Sequence, residues 1–126
     1  MFTLNIAPLS DSVPVKQTNT GAVSNFQPRQ IVCLEYETTY LYSEVIQTVT
    51  ERQMCWVRPL MLQVESEDRL YDLRSGADLI LSATLFRPAL DTEVIPLLIQ
   101  LEALPTSTNA HQQLSSFIRQ VWQAHN

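Results

Sequence analysis

Two cysteines, two histidines and scattered carboxylates are the residues of this chain that could do chemistry. Their spacing argues against most of it. Cys33, Cys55, His111 and His125 are the borderline or soft metal ligands, and no pair of them falls at CxxC, HxxxH or HExxH spacing. On one helix, His111 and His125 would stand ~21 Å apart and could not share an ion. A tetrahedral zinc site would have to gather ligands from distant segments. No metal and no cofactor is therefore expected. There is no GxSxG elbow and no phosphate-binding loop. Cys55 and His111 form a nominal nucleophile–base pair, but Cys55 lies between Met54 and Trp56 in an apolar run, and core packing accounts for it more simply. The remaining candidates are Glu44, Asp72 and Asp78, carboxylates within strand-like segments. Enclosed in a small barrel, such a group would have its pKa raised, as a general acid requires. Pairing with Arg58, Arg74 or Arg87 is the plainer reading, since surface ion pairs are common and individually weak.

Binding chemistry is better represented. Tyr36, Tyr40, Tyr42 and Tyr71 could stack on bases, and Arg52, Arg58, Arg69, Arg74 and Arg87 occupy the same half of the chain. Residues 51–87 also hold Glu51, Glu65, Glu67, Asp68, Asp72 and Asp78, so the arginines create no net positive field. The formal charge is −5, and the single lysine is Lys16. Non-specific nucleic-acid binding needs several unopposed phosphate contacts, which this chain does not supply. Tyrosine, tryptophan and arginine without lysine are instead the residues enriched at protein interfaces. Tyr40 and Tyr42 (within 37–42), Arg58 and Pro59 (within 58–61) and Trp122 are the expected protein-binding residues. Pro59 cannot donate to a strand ladder, so it marks an edge or a bulge in its strand, and an exposed edge there would be open to strand addition.

The elements that must position these residues follow from pattern. β-branched and aromatic runs at 30–36, 40–49, 53–64, 69–74 and 78–86 alternate and are joined by tight turns, which predicts consecutive antiparallel strands. In the third run Met54, Trp56, Leu60, Leu62 and Val64 would share one face. Gly76, one of two glycines, is expected where the backbone needs an unusual φ. Asp91 or Thr92 caps a helix to about Leu104, with Pro96 tolerable only in its first turn. Asn109 opens a second helix whose Leu114, Phe117, Ile118, Val121 and Trp122 form an apolar stripe.

The expected fold is α+β, mostly β: a small SH3-like antiparallel barrel or curled meander sheet over 29–90, with two helices in 91–126 covering one end. An open sheet with both helices on one face is the alternative. Residues 1–28 are rich in Ser, Thr, Asn, Gln and Pro and read as a mobile tail ahead of one globular domain, 29–126. Phe2, Leu4 and Ile6 alternate within that tail. No secretory signal and no ~20-residue apolar span is evident, so a cytoplasmic protein with no membrane partner is expected.

The runs CWVRPLML (55–62), RLYDLRSGADLI (69–80), LFRPALDTEVIPLL (85–98) and VWQAH (121–125) resemble a family of small conserved cyanobacterial proteins. The likeness covers about residues 30 to 125 and omits the tail. It implies a cytoplasmic protein of a photosynthetic bacterium, in a role between assembly factor and regulator, and transfers no catalytic residue. The function expected is a non-enzymatic protein-interaction module (adaptor, assembly factor or regulator). An RNA-binding small barrel and an enzyme with a carboxylate-based site are the alternatives. A homodimer stays open.

Overall fold

A computed structural model describes residues 26–105 and 109–125. Its strands are β1 (Ile31–Tyr36), β2 (Thr39–Val49), β3 (Met54–Val64), β4 (Arg69–Asp72), β5 (Leu79–Ser82) and β6 (Arg87–Pro88), followed by helices α1 (Asp91–Glu102) and α2 (Ala110–Ala124). The sheet is antiparallel, ordered β4-β3-β2-β1-β6, with β5 also beside β3. It does not close, so the expected SH3-like barrel gives way to an open sheet. Most of the expected tail lies outside the described residues, but Phe26 is buried in the core and Arg29 N–H donates to Val45 C=O at 2.7 Å. The domain therefore begins before the expected boundary at 29.

The helices do not share a face. Ala110, Leu114, Phe117 and Val121 of α2 pack with Val32, Leu34, Leu41, Val45, Val57 and Leu62. Val94, Leu97 and Leu101 of α1 pack with Cys33, Tyr42 and Met61. Successive strand residues point to opposite faces, so α1 and α2 sandwich the sheet in three layers. That explains the near-continuous apolar runs of β1 and β3, whose faces are both covered.

Two irregularities set which side chain faces which helix. In the β2–β3 pairing, Tyr42 opposes Met61 but Ser43 opposes Pro59, so Leu60 is an extra residue on β3. A second shift lies between Val45 and Gln47. The bulge inverts the facing within β3: Cys55 and Val57 join the α2-side core, as does Leu62, while Met61 faces α1. The single apolar face expected over 54–64 is thus two half-faces.

Of the two readings of Pro59, the bulge holds and the exposed edge does not: it adjoins the extra residue Leu60 and is fully buried beside β2. β5 pairs with Met54–Val57 and β4 with Met61–Val64 on one side of β3, and Pro59 sits in the gap between them, where no ladder N–H is needed. Gly76 has no positive φ. A Cβ there would meet the His111 ring, whose Nδ1 would stand 2.9 Å away, so close approach is its role. The segment 78–86 is strand only to Ser82; the Ser82 hydroxyl accepts from Thr84 N–H, and a tight turn over Ala83–Leu85 follows.

Candidate functional site

The first turns of α1 stand over the β1–β2–β3 surface and leave an open cleft of about 520 Å³ between them. Glu35, Tyr40, Tyr42, Gln63, Glu65 and Arg87 come from the sheet. Leu90, Thr92, Glu93, Pro96 and Leu97 form the helical wall. Strand register brings the sheet residues together: Cys33 opposes both Tyr42 and Arg87, Glu35 opposes Tyr40, and Tyr40 opposes Gln63. The Tyr40 and Tyr42 rings stack with centroids 6.4 Å apart and 16° between planes.

Glu93 is the hub. The Leu90 N–H donates to its carboxylate at 2.8 Å, while its own N–H donates to Leu90 C=O at 3.0 Å. This reciprocal closure starts α1, so Leu90 is the N-cap rather than Asp91 or Thr92. The same carboxylate accepts Tyr42 Oη–H at 2.8 Å and the two Arg87 Nη groups at 2.9 and 3.1 Å. Arg87 also reaches Glu35 at 3.3 Å and its neighbour's carbonyl, Pro88 C=O, at 3.2 Å. Tyr40 Oη–H meets Glu65 at 3.5 Å, the longest bond of the set. Pro96 lies in the second turn of α1 and carries no N–H, so the Thr92 carbonyl has no i+4 donor.

This network moves titration away from neutrality. Burial would raise Glu93, but Arg87, the Leu90 N–H and Tyr42 outweigh it and hold the carboxyl below its ordinary value. Burial, then Cys33 and the Glu93 carboxylate, raises Tyr42 well above its ordinary value, and burial with the Glu35 and Glu65 carboxylates moves Tyr40 up. Burial pushes the Cys33 thiol up to about 12, with Arg87 opposing.

The other singled-out residues lie elsewhere. Arg58 is bound by Asp78 at 3.1 Å, and Trp56 Nε1–H donates to the same carboxylate at 3.0 Å. Glu44 opposes Arg58 across the ladder. Asp72 instead binds Arg74, which reaches Glu102 of α1 at 2.6 Å. So Glu44 and Asp78 flank one arginine and Asp72 serves another. The arginine hydrogen bonds are the main cause lowering both Asp72 and Asp78, opposite to the direction a general acid needs. Trp122 leaves the α2 stripe and is 63% exposed. Tyr40 and Tyr42 therefore share a site, while Arg58, Pro59 and Trp122 do not join it. Cys55 is buried and raised by desolvation, and His111 lies against Gly76. Among the described residues no group of three or more His, Cys, Asp or Glu is arranged to hold a metal, and no helix is long and apolar enough to cross a membrane.

Sequence reasoning named Arg87 only as an ion-pair or base-contact candidate and placed neither it nor Glu93 in a site. Their signal was present as an arginine before a helix start and a glutamate at its third position, where a capping carboxylate belongs. No family model, curated protein or solved structure matches this chain.

Proposed function

We propose that this chain is a non-enzymatic protein-interaction module, an adaptor, assembly factor or regulator, that docks its partner on the outward face of α1. One observation carries the reading. While Val94, Leu97 and Leu101 of α1 are buried, Ile95, Ile99 and its N-cap Leu90 are 53, 68 and 63% exposed. A helix apolar on both sides belongs between two surfaces, and the sheet supplies only one of them.

The titrations support a binding role over catalysis. Tyr42 and Cys33 are pushed up and Glu93 down, so none is poised near neutral pH as an acid, base or nucleophile. The arginines weigh against the RNA-binding alternative. Arg58, Arg74 and Arg87 are each engaged by carboxylates, and Arg69 lies 5.3 Å over the Tyr71 ring. Phosphate would have to displace those partners.

The test is affinity capture from native lysate, after nuclease, with the wild-type chain and with Ile95→Ser/Ile99→Ser. Both side chains are exposed, so the double variant keeps the fold. A stoichiometric partner held by the wild type and lost by the variant is the expected result. A partner indifferent to the α1 changes, or RNA recovered without nuclease and released by moderate salt, overturns the proposal.

A further inference from the structure

We infer that the cleft beside α1 receives a cationic side chain, arginine or lysine, from a basic segment of a protein partner whose apolar residues lie along Leu90, Ile95 and Ile99. This rests on the docking role of α1 and names the chemistry of what docks there.

Three features of the cleft converge on a donor-rich cation with an apolar stem. The first is charge imbalance: Glu35, Glu65 and Glu93 line the cleft with Arg87 as the only cation among its lining residues. The second is the state of that cation. Arg87 is already held by Glu93 through two nitrogens, by Glu35 and by the Pro88 carbonyl, so an incoming anion would find its donors engaged. Glu65, in contrast, is met within the cleft only by the Tyr40 hydroxyl at 3.5 Å, a distance at which a hydrogen bond is weak. Third, Tyr40 is half-buried on the cleft and stacks on the buried Tyr42, so the outer face of Tyr40 is the ring surface a cation would meet.

Continuity supplies the rest. Thr92 and Pro96 belong to the cleft wall, and the exposed Ile95 and Ile99 share the helix face of Thr92 at i+3 and i+7, while the exposed Leu90 closes the wall at the N-cap. A segment laying apolar residues on that row would bring a neighbouring basic side chain to the cleft mouth. The chain's own net charge of −5 favours encounter with such a segment.

The probes are acetyl-arginine-amide and its neutral isostere acetyl-citrulline-amide, titrated into the isotope-labelled chain and followed by NMR. Arginine should shift the ring signals of Tyr40 and Tyr42 and the amides of Leu90 and Thr92, and citrulline should not. Glu65→Gln and Tyr40→Leu, both at the open side of the cleft, should each weaken the arginine response about three- to tenfold, the range of one lost cation–π or ionic contact. Their unfolding midpoints should stay near wild type. Equal response to citrulline, or shifts no larger at the cleft than around Asp72 and Glu102, overturns the inference. Failure here is separable from failure of the docking role. A partner lost with Ile95→Ser/Ile99→Ser but fully retained by Glu65→Gln and Tyr40→Leu would remove the cationic contact and leave the docking face standing.

Discussion

Removing one negative charge from Glu93, with its shape kept, should unlatch α1 from the sheet. The carboxylate accepts four hydrogen bonds, from Leu90 N–H, Tyr42 Oη–H and two Arg87 nitrogens, at 2.8 to 3.1 Å. Glu93→Gln keeps one acceptor oxygen and places an NH₂ where donors already point. At least one partner then faces a donor instead of an acceptor. Hydrogen bonds to a charged group contribute about 1.5–3 kcal/mol each and are not additive, so the expected loss is about 2–3 kcal/mol. At a urea slope of about 1–2 kcal/mol/M, the unfolding midpoint falls by about 1–3 M. Tyr42→Phe alone should cost about 1–2 kcal/mol, because Glu93 keeps its other donors. In the Glu93→Gln background the same change should cost under about 0.5 kcal/mol, leaving about 1 kcal/mol of coupling in the double-mutant cycle. Urea titrations followed by far-UV circular dichroism on the four proteins measure it. Additive effects, or a Glu93→Gln loss under about 0.5 kcal/mol, would refute the view of Glu93 as the hub.

Three further outcomes follow from the same geometry. Because Glu93 and Asp72 are held below their ordinary values, the folded chain keeps them ionised to lower pH than the unfolded chain does. Their contribution is complete above the unfolded value of about 4.3 and is lost as pH falls through the folded values, so Glu93→Gln should flatten the acid limb of a stability–pH curve; an unchanged limb would contradict the assignment. Cys33, with its thiol raised to about 12, and the buried Cys55 should resist a thiol-specific disulfide reagent at pH 8 and react together in concentrated urea; rapid labelling of the native chain would count against their burial. Ser43 Oγ is buried with no hydrogen-bond partner among the described residues, so Ser43→Ala should be neutral or stabilising by up to about 1 kcal/mol; a loss above about 1 kcal/mol in urea unfolding would show that the hydroxyl has an acceptor after all.

Local chemistry was legible in the sequence wherever one element decided it. Alternation located β1, β2 and β3 to within a residue, and the 3.6-residue stripe of Leu114, Phe117 and Val121 located α2. What pairing between distant segments decides was not legible. The extra residue at Leu60 exists only relative to β2, and it moves Trp56 off the face shared by Leu62. The missing N–H of Pro59 is visible in sequence and fits an edge or a bulge equally, whereas the gap between β4 and β5 that decides for the bulge is not. Assigning the helices to opposite faces needed the parity of every strand, and two bulges scramble that parity. The cleft fell between these cases. Tyr40 and Tyr42 drew notice by type, but Arg87 reaches them only because two residues of β6 pair with β1, a ladder too short to leave a pattern.

The margins of the sheet have a consequence for how this chain meets copies of itself. One margin is β6, two residues long, and the other is divided into β4 and β5 by the excursion from Leu73 to Asp78. The two longest strands, β2 and β3, are both interior. What the outermost strands present to a neighbouring molecule is a set of fragments, each too brief to nucleate a continuous intermolecular ladder. A substitution that straightened 73–78 into one uninterrupted strand would be expected to give the sheet a continuous margin for cross-chain pairing before it altered any contact of the core.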